Sequence, residues 1–203
     1  MLQEAAVIAL GVVLAAASWQ DVRTREIDAW IFAVGALPAA ALIYMNFPYP
    51  FYLFSLAVSL VLASVMRFLG SGYADSIAMA LIGSAPPVPP FPTAFIVILA
   101  GSVLLPVHMV HIYLANRGKP CEMTSLEKLT HICISKEEFH KNPTKYIVGE
   151  VRDVEKYDPR RLEVREQWIK AKYGLPYLLY LTVGYWIYVI LYLSGKSPVA
   201  GIA

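Results

Sequence analysis

The chain has 203 residues, of which 58% are hydrophobic and only 16% charged, with a formal net charge of +2 and a mean hydropathy of +0.54. A soluble domain is about a quarter charged, so this composition excludes an ordinary water-soluble enzyme. The weak net charge also excludes a nucleic-acid binder built on one dense basic patch.

The charges are segregated. Residues 1–115 hold only Glu4, Asp21, Arg23, Arg25, Glu26, Asp28, Arg67 and Asp75, whereas residues 116–173 hold thirteen Lys/Arg and ten Asp/Glu. Residues 5–19 (AAVIALGVVLAAASW) are the first apolar segment, approaching with their flanks the ~20 residues of a spanning helix. Trp19 suits an interfacial position. No basic n-region precedes this segment and no small-residue cleavage site follows it, which predicts a retained helix. A polar cluster at residues 20–28 comes next. Residues 29–45 are the second predicted span, residues 46–50 an uncharged turn, and residues 51–69 the third span, with Arg67 placed to snorkel near its end.

Gly70-Ser71-Gly72-Tyr73-Ala74-Asp75 follows. The glycines predict a positive φ or close packing, and Tyr73 is a site wall or an interfacial ring. Asp75 opens a fourth segment that stays apolar to residue 85. Residues 86–92 (PPVPPFP) cannot continue a helix, so this segment is short for a crossing. Residues 93–115 are the fifth span, carrying His108 and His111, and residues 174–193 are the last. The two histidines are three positions apart on one helix face. A metal would need a third ligand there, so neither a metal nor a cofactor is expected.

The polar insert reads as helical phrases at residues 125–129 and 135–140, the second with Ser135 and Glu138 as a capping box. Residues 150–156 alternate in charge, and residues 161–172 are predicted as a charged helix running into the last span. Too few apolar positions are present to predict an independent core. Cys121 and Cys133 lack metal or redox spacing and are read as two unrelated thiols. The expected domains are therefore residues 1–115, 116–173 and 174–203.

These elements predict an all-α polytopic membrane protein with six transmembrane helices. Six crossings place sixteen of the seventeen Lys/Arg on one face and leave only Lys196 on the other. The positive-inside rule makes that face cytoplasmic, with both termini outside and the insert between helices five and six inside. Arg23, Arg25 and Arg67 act first as topology determinants. If the fourth segment did not cross, the insert would lie opposite those three arginines. The same topology puts Asp21, ending helix one, and Asp75, starting helix four, at one membrane depth.

Two carboxylates in a restricted, low-dielectric site share a proton and act as base and acid together. One deprotonates a water that attacks a peptide carbonyl; the other polarises the carbonyl oxygen and protonates the leaving nitrogen. Asp21-Val22-Arg23-Thr24-Arg25-Glu26-Ile27 resembles the first-aspartate motif of the type IV prepilin peptidases and archaeal preflagellin peptidases, which are Gly-x-Gly-Asp-type intramembrane aspartic proteases. Gly72-Tyr73-Ala74-Asp75 resembles the second motif. Gly174-Leu175-Pro176-Tyr177, with Gly184-Tyr185, resembles the start and body of the family's final helix. Ala74 stands where bacterial members carry Gly, which leans the resemblance to the archaeal branch, and Asp28 stands near the usual Pro-Asn.

The resemblance implies catalytic Asp21 and Asp75, with Gly70, Gly72, Tyr73 and Ala74 supporting the second motif. It implies precursor archaellins or pilin-like proteins with class III signal peptides as substrates, cut at the cytoplasmic face of the cell membrane. The cysteine-rich loop of the bifunctional bacterial enzymes is missing, which implies proteolysis without N-methylation. Glu26 and Asp28 are candidates to attract a basic leader, while Arg23, Arg25 and Arg67 are candidates for substrate-leader contacts or anionic lipid heads. The competing expectations are a small proton- or cation-coupled transporter using the same aspartates, and an assembly-platform subunit without chemistry.

Overall fold

The structure is a computed structural model and describes residues 1–149, 151, 157–159, 162, 164, 166–174 and 176–195. Four stretches are helical, long and apolar enough to cross a bilayer: α1 (Leu2–Thr24), α2 (Ala29–Asn46), α3 (Pro50–Phe68) and the stretch Thr93–Ala115. The last is broken at Val103 into α5 (Thr93–Ser102) and α6 (Leu104–Ala115). Pro106 is the cause: it has no amide to give the Ser102 carbonyl, and its ring crowds that carbonyl. Two shorter apolar helices, α4 (Tyr73–Gly83) and α9 (Tyr177–Leu193), complete a mostly helical, polytopic membrane protein. Val12, Leu37, Phe54, Val61, Leu99 and Ile190 are exposed along these helices, as lipid-facing side chains are.

The chain divides into two units, Met1–Ser102 with Pro176–Ala203, and Val103–Leu175. In the second of these α6 packs with the polar insert.

In the first unit α1 and α2 form an antiparallel pair tied at both ends. Gln3 donates to Asn46 Oδ1 at 3.0 Å at one end, and Gln20 donates to Asp28 Oδ2 at 2.8 Å at the other. Helix α9 runs antiparallel to α1, since the Tyr185 hydroxyl donates to the Val7 carbonyl and that of Thr182 to the Leu14 carbonyl. Gly101 of α5 and Gly184 of α9 let two backbones touch. A Cβ on Gly184 would overlap the Val97 carbonyl, and one on Gly101 the Tyr180 carbonyl. Small residues at such crossings are how membrane helices gain packing without a hydrophobic drive between them. Val7, Leu10, Leu14, Leu42, Met79 and Ile82 fill the core.

Helix α3 ends in a Schellman motif. Gly70 has φ 87°, its amide bonds the Arg67 carbonyl, and the Ser71 amide reaches the Met66 carbonyl. Helix α4 starts three residues later and stops after eleven, about 16 Å at 1.5 Å per residue, well short of a ~30 Å hydrocarbon core. The three carbonyls beyond its end are each taken by a hydroxyl. Tyr52 donates to Ser84 O at 3.0 Å, Thr93 to Ala85 O at 2.9 Å, and Tyr188 to Pro86 O at 2.7 Å.

The second unit corrects three expectations. It is not all helical: β1 (His131–Ser135), β2 (Tyr146–Ile147) and β3 (Trp168–Tyr173) form an antiparallel sheet in the order β1-β3-β2. Where a charged helix was expected, Trp168, Lys170 and Lys172 are exposed while Ile169 and Ala171 are buried, and that period of two is a strand's. The sheet also has a core of its own, made of Ile132, Ile134, Phe139, Tyr146, Ile169 and Ala171. Finally, Cys121 and Cys133 are not separate thiols but a disulfide, with Cα atoms 5.8 Å apart.

The short helices α7 (Glu127–Thr130) and α8 (Lys136–Lys141) fall on the two predicted phrases. Ser135 Oγ accepts the Glu138 amide at 3.2 Å, while the Glu138 carboxylate goes to the Tyr146 hydroxyl. Residues 150 and 152–156 of the expected charge alternation, and residues 161, 163 and 165 at the start of the helix expected over 161–172, lie outside the described residues.

Candidate functional site

Asp21 sits one turn before the end of α1. Arg25 closes that helix at φ 61° and ψ 11°, its amide bonding the Asp21 carbonyl at 2.9 Å. This is the left-handed helix stop that usually falls to glycine. It returns the guanidinium to the helix, with Nη1 3.9 Å from Asp21 Oδ1, and the two side chains are only 11% and 15% exposed.

Asp75 lies in the first turn of α4, where an acid complements the helix dipole. Its Oδ2 accepts from the Ser71 hydroxyl at 3.1 Å, and the Ser71 carbonyl accepts from Arg67 at 3.2 Å. Asp75 also lies within electrostatic range of the Tyr177 phenol at the head of α9.

One electrostatic proximity and one hydrogen bond place the two acids at one end of the first unit. Asp75 lies within electrostatic range of Tyr177, and eleven residues further along each segment the Tyr188 hydroxyl donates to the Pro86 carbonyl. Helix α4 therefore runs parallel to α9. Because α9 is antiparallel to α1, the start of α4 shares an end with the close of α1.

The other predicted residues fall around this end. Gly70 supplies a positive φ, but Gly72, at φ −58° and ψ 149°, adopts a backbone open to any residue. Ala74 packs on the core, and the exposed Tyr73 ring lies under the Arg67 guanidinium at 4.1 Å. Arg23 stacks on Trp19 at 4.2 Å. Glu26 is exposed. Asp28 is engaged in the α1–α2 turn: its carboxylate accepts from Gln20 and from the Trp30 indole at 3.3 Å, and its amide donates to Gln20 Oε1 at 3.0 Å.

His108 packs against Tyr173 of its own unit, ring centroids 5.3 Å apart. Among the described residues no group of three His, Cys, Asp or Glu is arranged to hold a metal.

Sequence reasoning missed Ser71, Gln20 and Tyr177 as partners of the candidate acids. Ser71 sits four residues before Asp75, one helical turn away, and that spacing was the available signal. Comparison with known proteins finds no matching family model, no matching curated protein and no matching solved structure.

Proposed function

We propose that the chain is a membrane aspartic endopeptidase of the prepilin and preflagellin peptidase type. It removes short basic leaders from archaellin or pilin-like precursors at the cytoplasmic face and does not methylate the product. The observation that carries the reading is the placement of Asp21 and Asp75 at one end of the first unit, each at a helix terminus. The motif resemblance around both acids supports it.

In this reading the acids bind one proton and one water between them. The ionised member takes a proton from the water as its oxygen attacks the scissile carbonyl. The protonated member donates to the carbonyl oxygen, and the carbon–nitrogen bond breaks as a proton passes to the leaving amine. The pair titrates as one coupled site. A pilin-like apolar helix lies in the bilayer beside the bundle and presents its leader at that depth.

The reading also takes six crossings, with α4 and its proline segment travelling beside α9, both termini outside and residues 116–173 in the cytoplasm. That placement puts a disulfide in a compartment that keeps accessible thiols reduced. Cys133 is fully buried and Cys121 half-buried, so thiol exchange would have to reach the pair from the Cys121 side.

The test is reconstitution in liposomes with a basic-leader, pilin-like substrate. Asp21→Asn and Asp75→Asn should each abolish cleavage, a loss of at least ~1000-fold if each acid is essential to the acid–base pair, while thermal melts stay near wild type. Full cleavage by either variant rejects the proposal, and an ion flux lost in both variants without any proteolysis assigns the acids to transport.

A further inference from the structure

We propose that Arg25 is a positioning residue for Asp21, held in a disfavoured backbone conformation so that its guanidinium orients and charge-balances that carboxylate. The inference rests on the peptidase reading of Asp21. Among the described residues Arg25 is the one non-glycine with positive φ. A left-handed conformation is costly for any residue with a Cβ, and such outliers persist where the surroundings use them. Glycine would end α1 at the same point without that cost.

What glycine lacks is the side chain: its amide would make the same bond to the Asp21 carbonyl, but in Arg25 the guanidinium also returns to 3.9 Å from the Asp21 carboxylate, a charge contact rather than a hydrogen bond. Both side chains are largely withdrawn from solvent, so the pair is less screened than a surface ion pair. Topology alone needs no such geometry. Arg23, two positions earlier, supplies a positive charge at the same helix end while lying on the Trp19 ring in ordinary helical conformation.

A cation beside one acid of a proton-sharing pair biases which acid is ionised. The other described charged or titratable groups at this end are Arg23 of α1, Glu26 and Asp28 of the α1–α2 turn, Arg67 of α3, Tyr73 and Asp75 of α4, and Tyr177 of α9. Asp28 is tied to Gln20, Arg23 lies on the Trp19 ring and Arg67 bonds the Ser71 carbonyl and lies over Tyr73, while Arg25 is a cation within 4 Å of the Asp21 carboxylate. Its role is to offset part of the burial cost of the Asp21 charge, so that this carboxylate can take its turn as the ionised member of the pair.

The test compares Arg25→Gly, Arg25→Gln and Arg25→Lys in the full-length protein. Arg25→Gly should melt at or above the wild-type temperature, because glycine relieves the backbone. The acid limb of its kcat/KM profile should nevertheless move about one pH unit upward, the size expected from removing an adjacent cation. Arg25→Gln should move the limb likewise, and Arg25→Lys, which keeps charge but not the planar fork, should move it less. The carboxyl carbon resonance of Asp21, assigned by difference against Asp21→Asn, should shift its titration in the same order without any substrate present.

A folded variant lacking the guanidinium that keeps both the wild-type profile and the wild-type Asp21 titration overturns the inference. Arg25→Lys decides the question even where the other two fail to fold. If cleavage does not depend on Asp21 at all, it is the peptidase reading that falls. An unchanged profile with Asp21 still required removes only the role of Arg25.

Discussion

Gln20 and Asp28 exchange two hydrogen bonds across the turn between α1 and α2, the amide group giving 2.8 Å to the carboxylate and its oxygen taking the Asp28 amide at 3.0 Å. One side chain thus reads both the backbone and the side chain of the residue that starts α2. Gln20→Ala removes both bonds and should cost about 1–2 kcal/mol, near 1 kcal/mol for each bond made at a solvated site. Asp28→Asn keeps the acceptor and should cost less than half of that. Thermal melts in detergent check the ranking; equal losses would show that charge, not the exchange of bonds, holds the turn.

The α5–α9 contact depends on two missing side chains. Gly184→Ala forces a methyl group into the Val97 carbonyl, and a backbone atom has no rotamer by which to give way. The expected loss is about 3 kcal/mol, the upper end of the usual range for overpacked sites. Gly101→Ala, against the Tyr180 carbonyl, should behave alike, and the double variant should cost less than the sum, because one displacement of α9 relieves both overlaps. A chemical denaturation series measures this coupling.

In the second unit three fasteners meet at Cys133. Asn116 Oδ1 accepts its amide at 2.8 Å, Lys119 Nζ donates to its carbonyl at 2.7 Å, and its sulfur is bonded to Cys121. Asn116 also donates to the Lys128 and His131 carbonyls and is 5% exposed. Asn116→Ala strands these buried groups and should destabilise the unit by about 2–4 kcal/mol. Cys121→Ser opens a loop of twelve residues and should cost about 2–3 kcal/mol. Hydrogen exchange at the β1 and β3 amides reads both losses.

The same unit should weaken in two steps on acidification. Burial first, and then Lys172, hold the His131 pKa below its usual 6.5. The unfolded chain therefore takes up this proton first, and stability falls as pH drops below 6.5. The hydrogen bond from Lys170, together with those of Thr124, holds the Glu127 carboxyl down at about 2. Its contribution is complete above the ordinary carboxyl range and is lost as pH falls from about 4.5 through about 2. Amide exchange in β1 and β3 followed from pH 7 to pH 2 should show both windows, and Glu127→Gln should erase the lower one and, by removing a charge that raises the His131 pKa, extend the upper one to lower pH.

The long spans were legible because a bilayer demands runs of apolar residues with no other pattern. Their ends were legible to within a few residues from Asp21, Asp28 and Gly70. The break at Val103 was also written in the sequence, as Pro106, but an unbroken apolar run masked it. The sheet was missed for a different reason. Lys170 and Lys172 flanking Ala171 weigh toward a charged helix by composition, while the alternation that makes a strand extends over only six residues. Pairing of Cys121 with Cys133 depends on β1 carrying Cys133 back to the loop after α6, a fact of tertiary structure that spacing does not encode. Around the candidate acids the residue types were legible, but the Arg25 conformation and the use of Asp28 as a turn fastener were not. Both depend on the path of the backbone after α1.

The buried turn after α4 bears on the order in which this protein is assembled. Of the three hydroxyls that relieve its carbonyls, those of Tyr52 and Thr93 are made before or soon after the turn itself. The third, from Tyr188, comes 102 residues later. Tyr185 and Thr182 likewise reach back 178 and 168 residues, to α1. During synthesis the Pro86 carbonyl therefore lacks its final donor until the last helix has been inserted, and α1 waits equally long for two of its contacts. Helix α9 is the closing member of the first unit, and a nascent chain halted before it should remain open to chaperones and proteases however many earlier helices it has already placed in the bilayer.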